Sequence, residues 1–381
     1  MTRLYIIRHA EAEGNLYRIA QGQTDRALTA KGMLQVDALA ERFKDIKIDA
    51  LYSSDLRRAK QTAGAIQKYH VLELTTDARL REINVGICEG MSFGNMKKLD
   101  PESMYLFYND PDKWSIEGAE TFAQCTGRVF NAVRDIAEAN DGKTVAIVSH
   151  GMVIRSLLAR VMNIESANIH KVAHADNTAV SLLNYENGKF SVEFFNDNSH
   201  LPEGLSVAKT TSGTHEVSDG RNTLNLSYEP FDPRLDPETY MAYYESAWLA
   251  AHGNLNGYSP DFFLQSAQRR FARDPESIVG VYNEDELIGI LELDSEKGRH
   301  ADYGWISLVC LKEEYRGKGL GIQPVGYAVN YYQCLGRRAL RLHVSSENKH
   351  ALGFYEHYGF KQLSEEAGAG APLYLMEKKI R

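Results

Sequence analysis

The first strand of the chain constrains its fold more than any other stretch. Residues 4–7 form a short apolar run, Leu-Tyr-Ile-Ile, which is typical of a strand buried on both faces of a parallel sheet. The run stops at Arg8 and His9. Because ligands bind at the carboxyl ends of strands in open α/β sheets, a guanidinium and an imidazole at this point predict an anion site. On this stretch alone, an exposed Arg-His pair after an ordinary strand is an equal alternative.

A later stretch repeats the same order of elements. Residues 144–148 are again apolar, they end at Ser149, His150 and Gly151, and a helical pattern follows. Two histidines presented alike on parallel strands favour one shared site over coincidence.

Two further stretches add charge to the predicted site. Arg57 and Arg58 fall in the first turn of a helix that follows the short strand at 48–52. Cations oppose the helix dipole at that end unless they share an anion, although a solvated basic turn is the alternative for one of them. Glu82 lies in a partly apolar segment just before a glycine-punctuated loop. It is the candidate proton donor, against the alternative of a surface glutamate.

The other patterns of this half predict an α/β unit. Thr29 is the expected N-cap of a helix that continues to Phe43. Helical patterns also cover 56–66, 92–108 and 121–139, and a hairpin at 179–184 and 190–196 closes the unit near His200.

The overall composition limits the partners. A length of 381 residues predicts two domains. A net charge of −8 argues against a general binder of nucleic acid or of anionic membranes. The four cysteines show no C-x-x-C spacing, so we expect reduced thiols in the cytoplasm and neither a disulfide framework nor a zinc site. No apolar stretch has membrane-spanning length.

The second half begins after a change in composition. Residues 202–222 are rich in Ser, Thr, Gly and charge and are expected to be a linker. Asp236-Pro237 and Ser259-Pro260 predict two helix starts. The strands predicted in this half are 223–228, 278–282, 287–293 and 303–311.

A glycine-rich turn at 313–322 leads from the last of these strands into a helix that runs to Leu335. Such a turn offers several backbone N–H groups to a phosphate, although a tight turn without a ligand is the alternative. Residues 348–360 predict a helix that is capped by Asn348 and ends at Gly359, and a plain amphipathic helix is the alternative for its function.

Four motifs of the first half resemble the histidine phosphatase (phosphoglycerate mutase-like) superfamily. They are R-H-A-E-x-x-x-N at 8–15, S-S-x-L-x-R-A at 53–59, L-R-E-x-x-x-G-x-x-E-G at 80–90 and S-H-G at 149–151. The resemblance covers about residues 1–200. It implies a three-layer α/β/α fold with a mostly parallel sheet and a reaction that needs no metal.

The same resemblance implies a role for each residue that matches a motif. His9 would be the nucleophile that becomes phosphohistidine, and Glu82 would protonate the leaving oxygen and then activate water. The residues expected around the phosphoryl oxygens are Arg8, Arg58 and His150, with Asn15, Thr24 and Gly151 as further residues of the phosphate pocket. The motif G-A-E-T at 118–121 replaces the commoner G-E-S, and Ala10 replaces a frequent glycine. Because of the first departure, the resemblance does not define the leaving-group pocket or the substrate.

Two motifs of the second half resemble the Gcn5-related N-acetyltransferase (GNAT) family, over about residues 223–381. They are R-G-K-G-L-G at 316–321 and N-x-x-A-x-x-F-Y-x-x-x-G-F at 348–360. The resemblance implies a mixed-sheet α/β domain that binds acetyl-CoA. Tyr355 would protonate the CoA thiolate. No motif fixes a base for the amine; Glu292, on a strand beside the expected cleft, is the candidate, with an ordinary exposed strand residue as the alternative. The residues expected to bind the cofactor are Val309, Leu311, Arg316, Gly317, Lys318, Gly319, Leu320, Gly321 and Asn348.

Together these patterns predict a histidine phosphatase domain at 1–201, a linker at 202–222 and a GNAT domain at 223–381. The leading hypothesis is a bifunctional enzyme that hydrolyses a small phosphomonoester and acetylates a small amine. The alternatives are a phosphatase with a non-catalytic CoA-binding sensor domain, and a phosphoglycerate mutase-type phosphotransferase. The expected partners are small molecules rather than nucleic acid or membrane, and the sequence is compatible with a homo-oligomer.

Overall fold

A computed structural model describes residues 1–206, 224–368 and 371–380. Contacts divide the chain into two compact units, one of residues 1–91 and 96–221 and the other of residues 92–95 and 222–381. Most of the predicted linker and Thr223, the first residue of a predicted strand, lie outside the described residues. The predicted domain boundaries therefore stay a prediction.

The first unit is built on a six-stranded sheet. Its strands are β1 (Thr2–Arg8), β2 (Ala50–Ser53), β3 (Leu74–Thr76), β4 (Thr144–Ser149), β5 (Val180–Glu186) and β6 (Lys189–Asp197). They lie in the order β3-β2-β4-β1-β5-β6. Strands β1 to β4 run parallel, and the β5–β6 hairpin adds an antiparallel edge. The predicted mostly parallel sheet and its closing hairpin are confirmed.

The helices of residues 13–161 match predicted helical patterns except for the short first one. They are α1 (Glu13–Tyr17), α2 (Ala30–Phe43), α3 (Arg57–Gln67), α4 (Phe93–Leu99), α5 (Pro101–Asn109), α6 (Phe122–Ala139) and α7 (Gly151–Val161). The Thr29 hydroxyl accepts the Gly32 N–H, so the predicted cap of α2 is confirmed. The helix predicted over 92–108 is instead two helices, because Pro101 starts a new one that is capped by Asp100.

Strand β1 is buried on both faces. Leu4 and Ile6 alternate with Tyr5 and Ile7, and none of the four is more than 6% exposed. Tyr5 and Ile7 belong to a core shared with α2 and α3, whereas α6 and α7 pack against each other and against β1. This packing confirms the predicted buried parallel strand and fixes its carboxyl end, where Arg8 and His9 lie.

The second unit contains a seven-stranded mixed sheet. Its strands are β7 (Ser227–Pro230), β8 (Ile278–Asn283), β9 (Glu286–Leu293), β10 (Tyr303–Leu311), β11 (Ala339–Ser345), β12 (Lys361–Glu366) and β13 (Leu373–Lys379). They lie in the order β12-β13-β11-β10-β9-β8-β7, and β10–β11 is the parallel pair. The last three strands were not predicted from periodicity. In β11, buried apolar residues alternate with partly exposed ones, and in β12 every residue is exposed. Both patterns weaken the apolar signal of a strand.

The helices of the second unit are α8 (Pro237–His252), α9 (Pro260–Arg273), α10 (Ile322–Cys334) and α11 (Lys349–His357). The starts predicted at Asp236-Pro237 and Ser259-Pro260 are confirmed. Tyr240 of α8 and Phe271 of α9 share a core with Ile290 of β9 and Leu308 of β10. Within the described residues, no helix is long and apolar enough to cross a membrane.

Candidate active sites

His9 and His150 meet at the carboxyl ends of two neighbouring strands. Arg8 and Ser149 are partners in the β1–β4 register, so the next residue of each strand is a histidine. The His9 N–H donates to the Ser149 carbonyl at 2.9 Å, and the two imidazole centroids lie 5.2 Å apart. The structure therefore brings together the two histidines that the sequence placed on parallel strands.

One ring nitrogen of His9 is occupied by the backbone. Its Nδ1 lies 2.7 Å from the Ala10 carbonyl oxygen. A carbonyl can only accept, so Nδ1 carries the hydrogen and Nε2 keeps a lone pair when the ring is neutral. Thr62 of α3 holds this segment, because its hydroxyl accepts the Ala10 N–H at 2.9 Å. The arrangement leaves the lone pair on Nε2 of His9, and its role as a nucleophile stays a prediction.

Arg58 is fully buried in the first turn of α3. Its two terminal nitrogens donate to the carbonyls of Thr24 at 2.8 Å and Gly22 at 2.7 Å. Arg57 is exposed on the same turn, and its backbone N–H donates to Asp25. Arg58 is buried and Arg57 is exposed, which agrees with the prediction that Arg58 alone of the pair belongs to the site.

Arg8 lies at the end of β1 and donates to the Ala175 carbonyl. A Cβ atom on Gly151 would approach the Arg8 Nε to 3.3 Å. The glycine after His150 therefore leaves room for the Arg8 guanidinium. Asp176 and Glu82 both interact electrostatically with Arg8 and partly offset the burial that lowers its pKa.

Several buried polar atoms of this cluster have no hydrogen-bond partner among the described residues. They are Nε of Arg8, Nε of Arg58 and both ring nitrogens of His150. Buried polar groups are normally paired, so the unpaired Nε–H groups of Arg8 and Arg58 and an N–H of His150 suit a ligand with anionic oxygens.

Burial and positive neighbours also set the protonation of the two histidines. Burial, Arg58 and Arg8 lower the pKa of His9 well below 6.5. Burial, Arg58 and His9 do the same to the pKa of His150. Both imidazoles are therefore neutral at neutral pH, which is the state a nucleophilic His9 requires.

Glu82 approaches the same cluster from the loop after β3. Its Oε1 accepts the N–H groups of Ile83 at 3.0 Å and Val153 at 3.2 Å, and its Oε2 accepts that of Met152 at 3.3 Å. The carboxyl group is thus fixed at the first turn of α7, directly after His150. Its electrostatic interaction with Arg58 places it beside the cationic cluster.

Glu89 is a site residue that motif reasoning left without a role. Its carboxylate accepts the backbone N–H groups of Gln23 at 2.9 Å, Thr24 at 3.0 Å and Val85 at 3.2 Å. Gly22 has a φ of +43°, and a Cβ there would come within 2.0 Å of Glu89 Oε1. Glu89 thereby shapes the loop whose carbonyls hold Arg58. The signal available in the sequence was its place in the L-R-E-x-x-x-G-x-x-E-G motif.

The two predicted secondary pocket residues also shape this region. Asn15 Oδ1 accepts the Ala12 N–H at 3.0 Å at the start of α1. Thr24 contributes its carbonyl to Arg58, and its hydroxyl donates to the Gln21 carbonyl. Direct contact of either side chain with a phosphate stays a prediction.

The segment before β5 was missed. Asn177 donates from its side chain to the His9 carbonyl at 2.9 Å, and the Thr178 N–H donates to the Arg8 carbonyl at 3.2 Å. Thr178 has a φ of +60°. These contacts fix the backbone of the two residues at the end of β1. Both contacts end on backbone carbonyls of distant residues, so neither has a signal in the local sequence.

The second unit has a cleft of its own between two strands. Strands β10 and β11 pair only from Tyr303–Trp305 with Ala339–Arg341, and a bulge follows between Ile306 and Leu308. Val309 and Leu311 lie beyond the paired part, and both still pair with β9 on the other side. Near Val309, the edge of β10 that faces away from β9 therefore pairs with no strand among the described residues.

The glycine-rich loop leads from this cleft into α10. Gly317 and Gly319 have φ values of +70° and +71°, and a Cβ on either would meet no atom within 4 Å. Glycine is thus favoured at both positions because of the positive φ value, and not because a side chain would clash with a neighbour. Leu320 is buried, and Gly321 is the N-cap residue of α10. Backbone N–H groups of such a turn suit a pyrophosphate, so these residues fit acetyl-CoA.

The Arg316 side chain binds protein groups. Its Nε donates to the Leu311 carbonyl at 2.8 Å, and a terminal nitrogen donates to Ser246 Oγ at 2.8 Å. Arg316 thus anchors the loop to β10 and α8, and the Leu311 carbonyl is already occupied.

Tyr355 and Asn348 lie on or beside α11. The Tyr355 ring packs against Phe354 and Phe360, and burial raises its pKa, which keeps the phenol protonated. Asn348 Oδ1 accepts the Ala351 N–H at 3.1 Å, so the predicted helix cap is confirmed. Its role in cofactor binding stays a prediction.

Glu292 lies on β9 opposite Leu308 of β10 and is 1% exposed. Tyr240 donates to its Oε2 at 2.6 Å, and Arg270 pairs with Oε1. Burial raises the pKa of Glu292 against the effect of Arg270. Glu292 is therefore not an exposed strand residue, and its carboxylate is paired rather than accessible to solvent. Its role as a base stays a prediction.

Among the described residues, no group of three or more His, Cys, Asp or Glu side chains could hold a metal ion.

Comparison with protein families matches both halves of the chain. Residues 4–198 match the histidine phosphatase superfamily (branch 1), and residues 238–360 match the acetyltransferase (GNAT) family. The first match covers half of the chain. Both agree with the resemblances of the sequence motifs.

Individual relatives match the first half. A putative phosphoserine phosphatase 2 of Hydrogenobacter thermophilus is 30% identical over 200 residues, which are 52% of this chain and 98% of the relative. A probable phosphoglycerate mutase, GpmB, of Salmonella choleraesuis is 30% identical over 206 residues, or 53% of this chain and 95% of the relative. The structure of Bacillus stearothermophilus YhfR is 30% identical, covers 52% of this chain and 99% of its own, and has a TM-score of 0.51.

Proposed function

The chain belongs to the histidine phosphatase superfamily and also carries a GNAT acetyltransferase domain, and from this premise we propose that it is a bifunctional enzyme. One activity hydrolyses a small phosphomonoester through a phosphohistidine. The other transfers an acetyl group from acetyl-CoA to a small amine. The proposed location, the cytoplasm, suits both soluble substrates and reduced thiols.

The observation that carries the phosphatase proposal is the convergence of Arg8, Arg58 and His150 on His9. The buried donors that lack a partner in the described residues suit the three outer oxygens of a phosphoryl group. Phosphoryl transfer requires positioning and charge stabilisation, and two guanidinium groups supply both.

The proposed reaction has two steps. In the first, Nε2 of His9 forms a bond to phosphorus while the bond from phosphorus to the ester oxygen breaks, and Glu82 gives that oxygen a proton. In the second, the Glu82 carboxylate takes a proton from water, whose oxygen bonds to phosphorus as the bond to His9 breaks. Inorganic phosphate is released, and both residues return to their starting states.

The phosphatase proposal is tested with a panel of phosphomonoesters. O-phosphoserine, 3-phosphoglycerate, 4-nitrophenyl phosphate and several phosphorylated amines are incubated with wild type, His9→Ala and the control His350→Ala, whose side chain is exposed. We expect phosphate release from wild type and the control and none from His9→Ala. An isomerised product without phosphate release identifies a mutase instead, an activity named for one relative.

For the second unit, the carrying observation is the divergence of β10 from β11 together with the loop at Gly317–Gly321. When bound, acetyl-CoA supplies the acetyl group. The loop backbone would bind its pyrophosphate, the free edge near Val309 would bind the pantetheine, and Tyr355 would hold a proton at its phenolic oxygen.

This proposal is tested by acetyl-CoA binding and by release of CoA thiol with a panel of amines. Gly319→Ala is compared with Gly336→Ala, because both positions have positive φ values but only Gly319 lies in the loop. We expect weaker binding only in Gly319→Ala. Binding without transfer to any amine would instead support a sensor domain.

A further inference from the structure

The Arg128 guanidinium of α6 binds the backbone of the loop that carries Glu82. Its Nη1 donates to the carbonyls of Arg79 at 2.8 Å and Arg81 at 2.7 Å, and its Nη2 donates to that of Glu82 at 2.9 Å. We infer that Arg128, held by Glu120, is a positioning residue that fixes Glu82 for proton transfer. This inference rests on the proposed phosphatase function.

Glu120 orients Arg128. The two side chains form a bidentate pair, with Nε to Oε1 at 2.6 Å and Nη2 to Oε2 at 2.8 Å. Both are largely buried, at 20% and 15% exposed. Two parallel hydrogen bonds fix the plane of the guanidinium, so its remaining N–H groups are directed at the loop. Glu120 Oε2 also accepts the Asn84 N–H at 3.3 Å, on the far side of Glu82.

The loop is held from other sides as well. Ser149, the last residue of β4, donates its hydroxyl to the Leu80 carbonyl at 2.8 Å, and Gln23 donates its side-chain amide to the Glu82 carbonyl at 3.1 Å. The Glu82 carboxyl group is fixed separately at the first turn of α7. The main chain and the carboxyl group of Glu82 are thus fixed by different elements. Arg128 supplies three of the contacts to the main chain.

This geometry gives a role to the G-A-E-T stretch, which the sequence left open as part of the leaving-group pocket. Glu120, its third residue, directs its carboxylate to Arg128. Thr121, its fourth, caps α6 by accepting the Gln124 N–H at 3.2 Å. The stretch therefore begins the helix that carries Arg128 and supplies the partner of Arg128. The stretch therefore affects catalysis through the position of Glu82.

A positioning role differs from a purely structural one in its dependence on the leaving group. An alkoxide needs a proton from Glu82 as it departs, whereas 4-nitrophenolate leaves without one. The kcat/KM value reports the first phosphoryl transfer. Misplacement of Glu82 therefore lowers kcat/KM for an alkyl phosphate far more than for 4-nitrophenyl phosphate, whereas damage to the fold lowers both equally.

The experiment compares the two esters in wild type, Arg128→Met, Glu120→Gln and the control Arg134→Met. Arg134 lies on the same helix and pairs with exposed Asp135. In Arg128→Met we expect kcat/KM to fall at least about 100-fold for the alkyl phosphate and less than about tenfold for 4-nitrophenyl phosphate. Glu120→Gln should show the same selectivity to a smaller extent, and Arg134→Met should match wild type.

Three outcomes overturn the inference. Equal losses for both esters in Arg128→Met assign Arg128 to the fold alone, and unchanged kinetics assign it no role. Hydrolysis of neither ester by wild type overturns the proposed function and the inference with it. If Arg128→Met does not fold, Glu120→Gln, which keeps the shape of the side chain, decides between selective and equal loss.

Discussion

The Glu89 carboxylate accepts the backbone N–H of Thr24 at 3.0 Å. The carbonyl of the same threonine accepts a hydrogen bond from Arg58 at 2.8 Å. One peptide segment thus links the position of the Glu89 carboxylate to that of the Arg58 guanidinium, the group proposed to face the phosphoryl oxygens. Glu89 has no place in the two chemical steps, yet the geometry of Arg58 depends on it.

Glu89→Gln tests this dependence. The amide keeps the size of the side chain but cannot accept on both of its terminal atoms, so the loop loses at least one of its N–H contacts. We expect kcat/KM for a phosphomonoester to fall about 10- to 100-fold, because a small misplacement of a catalytic group has effects of this size. Inhibition by inorganic phosphate should weaken in parallel. Glu73→Gln, at an exposed position, should leave both values unchanged.

His200 makes the stability of the first unit sensitive to acid. Arg42 lies 3.2 Å from its Nδ1 and donates to it, and its Nε2 lies 3.2 Å from Thr178 Oγ1. A proton on Nδ1 would face the Arg42 donor. Burial first, and Arg42 second, lower the pKa of His200 from 6.5 to about 4.

The direction of the pH effect follows from this shift. Below 6.5 the unfolded chain binds a proton at His200 that the folded chain does not bind until about pH 4. The contribution to stability is therefore complete above 6.5 and is lost as the pH falls toward about 4, by roughly 1–3 kcal/mol. Hydrogen exchange of β1 and β4 in denaturant measures the unfolding of this unit. His200→Gln should show a smaller loss than wild type over that range, and an equal loss would contradict the prediction.

Tyr355→Phe tests the proton donor proposed for the second unit. Partial burial raises the pKa of the Tyr355 phenol and keeps the proton in place, so removal of the hydroxyl should slow transfer rather than binding. We expect kcat for acetyl transfer to fall about 10- to 100-fold, while the Kd for acetyl-CoA stays within about twofold. Loss of binding without a change in kcat would assign Tyr355 to the cofactor site alone.

The Glu292–Arg270 pair gives a prediction about stability. Arg270→Met leaves a buried carboxylate without its cation, and we expect the free energy of unfolding of the second unit to fall by about 3–5 kcal/mol. The double variant Arg270→Met with Glu292→Met removes both charges and should recover most of that loss. No recovery in the double variant would show that the pair contributes more than charge neutralisation.

The strands that carry the phosphatase site could be predicted because their signal is local. The apolar runs before His9 and His150 each lead to a histidine of the candidate site, and parallel strands bring such ends together. Its position in the motif selected Arg58 over Arg57. In the structure Arg58 is buried, whereas Arg57 is exposed. Family membership and fold class followed from the same residues.

Other parts of the sites have no such signal. Ala175 accepts from Arg8 through its backbone carbonyl, which any residue type can offer. The Asn177 side-chain amide donates to the His9 carbonyl, a tertiary contact that spacing in the sequence does not reveal. The Arg316 side chain turns to the Leu311 carbonyl because the chain returns past β10, a tertiary contact that spacing does not reveal. The burial of Glu292 depends in the same way on how α8 and α9 pack over β9.

The central claim is that Nε2 of His9 forms a bond to phosphorus. Rapid mixing of wild type with a phosphomonoester, acid-free quenching and peptide mass spectrometry measures this directly. We predict one phosphoryl group on His9, which disappears as phosphate is released and which is absent from His9→Ala. Continued phosphate release with no phosphoryl group on His9, or with the group on another residue, would contradict the account.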